Sequence, residues 1–245
     1  MPTQQTIHEM AALDLAELIG HYALDDRTVP HLRLNFVSSL DGAATLDGRS
    51  GGLGNEQDQR VMNALRTFSD VVLVGAGTVR AEGYGGLDLG HDSVRWRVEN
   101  GLPAEPVFAI VSGHLDLDPE SGPFVDPPVR PLIFTHDGAP AHRRRALSRV
   151  ADVITCGTNT VDLRQMRAEL NARALPQVLC EGGPSLLGSM LEADVVDELC
   201  LSLGATMVGG ESRRIAVSDH ETVRHMRFAG VLRADDMLLL RYLRR

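Results

Sequence analysis

The stretch QVLCEGGPSLLGSMLE, residues 177–192, decides the fold class. Residues 177–181 form a short apolar run ending in the carboxylate of Glu181, the pattern of a buried strand. Gly182 and Gly183 permit a sharp turn, and Pro184 suits the first position of a helix that reaches about residue 192. A strand passing through a glycine turn into a helix is the building unit of parallel α/β sheets.

The same alternation extends outward in both directions. Strands are expected at 32–37, 70–75, 107–112, 131–135, 152–156 and 197–203, with a terminal antiparallel hairpin at 226–232 and 237–243. Helical periodicity marks 8–22, where Ala11, Leu15, Leu18 and Tyr22 share a stripe. It also marks 55–68, where Val61, Ala64, Leu65 and Phe68 do so, and shorter helices at 141–150 and 161–174. Residues 38–54 read as a Gly-rich loop, 76–86 as a turn and 83–105 as an excursion or flap. The expected fold is α/β: a mostly parallel central sheet with helices on both faces and a C-terminal antiparallel hairpin. Residues 1–28 read as an N-terminal helical extension and 29–245 as one domain.

Composition narrows the function. At 43% hydrophobic and 23% charged, the 245 residues can build a core. The net charge of −9 and an aromatic content of 4% argue against a nucleic-acid partner, although Arg143, Arg144 and Arg145 form a local basic patch. All 24 basic residues are arginine, which excludes a Walker-type lysine, a pyridoxal Schiff base and a lysine general base. Cys156, Cys180 and Cys200 stand in separate apolar runs, so buried free thiols and a reducing, cytoplasmic setting are expected. The nine histidines form no ligand pair, so no metal is expected. The acidic N-terminal stretch is unlike a signal peptide, and no apolar run reaches membrane-span length, so no membrane partner is expected.

In parallel sheets, ligands bind beyond the carboxyl ends of the strands. Four turns therefore carry the chemistry. SLDG (39–42) places Asp41 beyond the first buried strand, although Asp-Gly also serves as a plain turn dipeptide. GAGTV (75–79) reads either as a tight turn or as a close backbone approach to a dinucleotide; Arg80 replaces the third glycine of the Rossmann pattern. Ser112 ends its strand. EGGPS (181–185) reads either as a well-formed strand–helix turn or as an anion site at a helix N-terminus.

Three separated segments resemble one family: LNFVSSLDGAAT (34–45), GRSGGLGNEQDQRVMNALRTFSDVVLVGAGTV (48–79) and VLCEGGPSLLGSMLEADVVDELCLSLGATMVGG (178–210). The chain resembles the pyrimidine reductase domain of bacterial riboflavin biosynthesis, which has the dihydrofolate reductase-like fold, without the deaminase domain often fused ahead of it. The resemblance implies NADPH-dependent hydride transfer to a ribosylamino-pyrimidine carrying a 5′-phosphate, and a homodimer joined through the C-terminal strands.

It assigns cofactor contacts to Gly75, Gly77, Thr78, Val79, Glu82 and Ser112, and to the loop Gly182, Gly183, Pro184, Ser185, Leu186 and Leu187. It assigns substrate contacts to Asn35, Ser50 and Arg66, and catalytic carboxylates to Asp41 and Glu181. Either carboxyl, with a raised pKa, is expected to deliver the proton, with Asp41 preferred. Departures are Glu82 for an aspartate, Gly51-Gly52 for an aromatic, and the absence of the arginine that grips the substrate phosphate in the segment after Glu82. Arg95 or Arg97 is the expected substitute. Two alternatives stay open: a reductase of dihydrofolate or another pteridine-like ring, with Glu56 or Asp58 near the ring, and a non-catalytic nucleotide-binding regulator.

Overall fold

A computed structural model describes residues 8–245. The chain opens with a two-residue strand β1 (His8–Glu9), a 3-10 turn (Met10–Ala12) and helix α1 (Leu15–Tyr22). The expected helix over 8–22 is thus shorter. It starts where Asp14 and Glu17 close a capping box, and Leu18, Ile19 and Tyr22 form its buried face.

Then follow β2 (His31–Ser38), α2 (Glu56–Phe68), β3 (Val71–Gly75), α3 (Ala76–Glu82) and α4 (His91–Glu99). Next come β4 (Val107–Val111), β5 (Leu132–Thr135), α5 (Ala141–Leu147), β6 (Asp152–Thr155) and α6 (Leu163–Ala172). The chain ends with β7 (Gln177–Cys180), α7 (Pro184–Glu192), β8 (Glu198–Leu203), β9 (Met226–Ala234) and β10 (Met237–Arg244).

Among the described residues these strands make one sheet of order β1-β9-β10-β8-β2-β7-β3-β4-β5-β6. From β8 to β6 every neighbour is parallel. β10 is antiparallel to β8 and β9, the expected terminal hairpin. On one face, α6 and α7 cover Leu34, Leu73 and Val178. On the other, α1 and α2 cover Leu179, Cys200 and Leu239, and α3 and α5 cover Val72, Ile110 and Ile133. Each fully buried aliphatic side chain contributes about 1.5–3 kcal/mol. This is the dihydrofolate reductase-like arrangement expected from the sequence. The three cysteines are free and buried, as expected.

Two expectations fail between β3 and β4. Residues 76–82 are a helix, not a turn. The excursion at 83–105 contains α4, packed against α2. Its anchor is polar: the buried Arg97 donates to the carbonyls of Thr67, Ser69 and Pro103 at 2.6–2.9 Å. A helix held by a guanidinium rather than by an apolar stripe leaves no periodic hydrophobic signal.

Candidate active site

The parallel register brings the carboxyl ends of β2, β7, β3 and β4 to one edge, where Leu73 lies opposite Cys180 and Gly75 opposite Val111. The two glycine turns meet there. The Gly75 N–H donates to the Gly182 carbonyl at 2.7 Å. Gly182 and Gly183 are joined by a cis peptide bond, and Gly182 has φ +106°. A Cβ on Gly183 would lie 2.7 Å from Thr78 Oγ1, so the backbone alone fits between β7 and α3. A Cβ on Gly77 would meet open space.

Proline has no N–H, and Leu187 donates its own to Gly183. The N–H groups of Ser185 and Leu186, in the first turn of α7, have no partner within the helix. The Gly183 N-cap offers no side-chain acceptor either. This end of α7 therefore carries donors and positive dipole charge for an anion. Ser112, one residue beyond β4, is buried and donates its N–H to Phe134. The side chains of Val79 and Leu187 are buried in the core, which leaves only their backbone to face a cofactor.

Glu181 lies on the α2 side of this edge. Its side chain is only 3% exposed. Arg66 grips it in a two-pronged fork, Nε to Oε1 at 2.6 Å and Nη2 to Oε2 at 2.7 Å. Tyr84 donates its hydroxyl to Oε2 at 2.8 Å. Burial first, then the charge and hydrogen bond of Glu181, raise the Tyr84 phenol well above its ordinary pKa, so it remains a donor.

Asn35 is the lateral neighbour of Glu181, because Leu34 pairs with Cys180. It shares a strand face with Arg33, whose guanidinium lies 4.7 Å over Phe68 of α2. Its Oδ1 is buried and has no hydrogen-bond partner among the described residues. Two acceptors thus stand at neighbouring positions beyond the paired residues Leu34 and Cys180.

The remaining expected residues behave differently. Glu82 is engaged away from a cofactor: its Oε1 accepts both the N–H and the hydroxyl of Ser50, each at 3.0 Å. It ties the 38–54 loop to the end of α3.

Asp41 does not match the raised pKa expected of a proton donor. It is exposed, and it accepts from the Ser39 hydroxyl and from the N–H groups of Gly209 and Val208. These bonds lower its carboxyl to about 2, so Asp41 is a charged pin between two loops. Arg97 is committed to α4, and the exposed Arg95 pairs with Asp92, so neither supplies the missing phosphate contact. Leu87 is buried and Leu89 packs beside the same cluster, so the segment after Glu82 turns apolar groups into the core. Asp58, whose pKa burial raises, bonds Ser202. It lies eight residues before Arg66 on α2, about 12 Å along the helix.

Tyr84 went unread in the sequence. The available signal was an aromatic residue flanked by glycines in an otherwise polar stretch.

Among the described residues, no cluster suits a metal ion and no helix is long and apolar enough to cross a membrane. A 2,5-diamino-6-ribosylamino-4(3H)-pyrimidinone 5′-phosphate reductase from Methanothermobacter thermautotrophicus is 28% identical over 199 residues, 80% of this chain and 87% of the relative. Its namesake from Archaeoglobus fulgidus is 26% identical over 182 residues, 74% of this chain and 83% of the relative. The crystal structure of a pyrimidine reductase-like protein from Corynebacterium diphtheriae superposes with a TM-score of 0.81 at 28% identity, covering 96% of each chain. The sequence profile of the RibD C-terminal domain matches residues 30–240, and with the two glycine turns joined at one sheet edge, this chain belongs to that family.

Proposed function

We propose that this chain is an NADPH-dependent reductase that converts a ribosylamino-pyrimidine 5′-phosphate to its ribitylamino product in riboflavin biosynthesis. The observation that carries the reading is the direct bond between the two glycine turns, at the strand ends that also carry Glu181 and Asn35. Backbone without Cβ atoms, next to helix donors free of side-chain caps, fits the phosphates of a dinucleotide. Gly75, Gly77, Thr78, Ser112, Gly182, Gly183, Pro184, Ser185 and Leu186 would hold the cofactor. When bound, its nicotinamide supplies the hydride. The chain's own part is positioning and exclusion of water. Asn35 Oδ1 and the Glu181 carboxylate accept from hydroxyl or amino groups, which a ribosylamino-pyrimidine carries in number. Arg66 fixes the orientation of Glu181, and the Ser50–Glu82 bond holds the 38–54 loop to the end of α3.

We further read the molecule as a cytoplasmic homodimer. Residues 29–245 are the catalytic unit, with the extension 1–28 bracing it through α1. The pairs Leu199–Tyr242, Leu201–Leu240 and Leu203–Leu238 lie across β8 and β10 and are all half-buried, an apolar sheet face suited to a second copy.

A second reading, reduction of dihydrofolate or another pteridine-like ring, is favoured by one observation: Leu87 and Leu89 turn inward where relatives of this type present a phosphate-binding arginine. Titration with NADPH and NADH, followed by cofactor fluorescence, tests the first step. Binding with preference for NADPH is expected; no binding at roughly millimolar cofactor overturns both readings. Turnover on the phosphoribosylamino-pyrimidine, compared with dihydrofolate, then decides between them.

A further inference from the structure

We propose that Tyr84 is a positioning residue for Glu181, presenting one particular lone pair of the carboxylate to the substrate. The proposal rests on the reductase reading and deepens it.

The local chain is built to deliver this hydroxyl. Tyr84 stands in the run Gly83-Tyr84-Gly85-Gly86 directly after α3. Its ring stacks on Phe108 of β4, with centroids 5.8 Å apart and planes inclined by 22°. Behind it, Gly122 approaches so closely that a Cβ there would lie 2.8 Å from the Tyr84 carbonyl and 2.9 Å from Gly85 Cα. The ring is thus fixed from the side of the sheet and its backbone from the side of residues 122–124. The hydroxyl donates to Glu181 Oε2, and the Arg66 guanidinium that grips the same carboxylate lies beside it.

A carboxylate offers about four lone-pair sites. In Glu181, Arg66 Nε takes one on Oε1, and Arg66 Nη2 and Tyr84 Oη take two on Oε2. Oε2 is thereby saturated, and the remaining site is on Oε1. Without Tyr84, a donor on the substrate could choose either oxygen. With it, the choice is one. Tyr84 does not need to touch the substrate to act.

The test is a double-mutant cycle with Tyr84→Phe and Glu181→Gln. Phenylalanine keeps the stack on Phe108, so the thermal midpoint is expected to stay near that of the wild type. Turnover of the phosphoribosylamino-pyrimidine is expected to fall by about tenfold to a hundredfold, the scale of a lost hydrogen bond to a charged group. NADPH affinity is expected to be unchanged. In the Glu181→Gln background, Tyr84→Phe is expected to change turnover by less than about twofold, because the carboxylate it acts through is gone. Wild-type turnover in Tyr84→Phe, or losses that multiply across the cycle, overturns the proposal while the reductase reading stands. A wild-type protein that binds NADPH but reduces neither pyrimidine nor pteridine substrate removes the reductase reading, and the role of Tyr84 with it.

Discussion

Two carboxylates of this chain are buried and gripped by arginine, yet they stand in opposite settings. Glu198 begins β8, is fully buried, and is bonded by Arg33 at 2.9 Å, Arg241 at 2.8 Å and His31 at 2.7 Å. The same arginines reach the carbonyls of His21 and Tyr22, so this cluster fastens α1 to the sheet. Glu181 is held by Arg66 and Tyr84 at the opposite, carboxyl ends of the strands, with the unpartnered Asn35 Oδ1 beside it. Burial and ion pairing therefore do not distinguish a structural carboxylate from a candidate catalytic one. Position along the strand does: Glu198 stands at the amino end of its strand and Glu181 at the carboxyl end, where parallel sheets bind ligands.

The contrast breaks most visibly at Glu198. Glu198→Gln leaves Arg33 and Arg241 buried without their counter-charge, and a loss of about 3–5 kcal/mol is expected in urea unfolding. A loss under about 1 kcal/mol would show that the cluster is not structural. The pH dependence has a definite sign. Burial alone would raise the Glu198 carboxyl, but Arg33, the His31 hydrogen bond and Arg241 outweigh it and hold it well below the usual range. Its contribution is complete above the unfolded value of about 4.3 and disappears as pH falls toward the folded value. Wild-type stability should therefore drop steeply in acid below about pH 4, and Glu198→Gln should flatten that slope.

Glu181→Gln sharpens the contrast from the other side. The fold and NADPH binding are expected to persist, while turnover falls by about a hundredfold, the scale of a misplaced catalytic group. A protein that instead unfolds would make Glu181 a second Glu198.

The smallest effect is expected at Asp41. Asp41→Asn weakens the pin between loops 38–54 and 204–225, seen as faster limited proteolysis there. Turnover should stay within about threefold, as for an exposed site. A hundredfold loss would return Asp41 to the chemistry.

These differences also explain what the sequence could disclose. The strand–glycine–helix unit at 177–192 and the strand with its glycine turn at 70–77 are legible because steric freedom and apolar runs are local properties; the helix at 76–82 is not. Arg66 and Glu181 were legible singly, through the family resemblance; their fork joins residues 115 positions apart. The lowered pKa of Asp41 is hidden from the sequence for the same reason, since two of its partners, Val208 and Gly209, are 167 and 168 residues away. The resemblance points Glu82 toward the cofactor, and its bond to Ser50, 32 residues upstream, leaves no local signal. α4 escaped because its anchor is a guanidinium, whose three carbonyl partners follow no period.

That anchor also bears on the candidate site. Arg97 moors the carbonyls of Thr67 and Ser69, one and three residues beyond the arginine that grips Glu181. The excursion thus works as a guy-rope on the C-terminal end of α2, the end that carries the Glu181 fork. A change that slackened this mooring would be felt at the Arg66–Glu181 fork without altering one residue there.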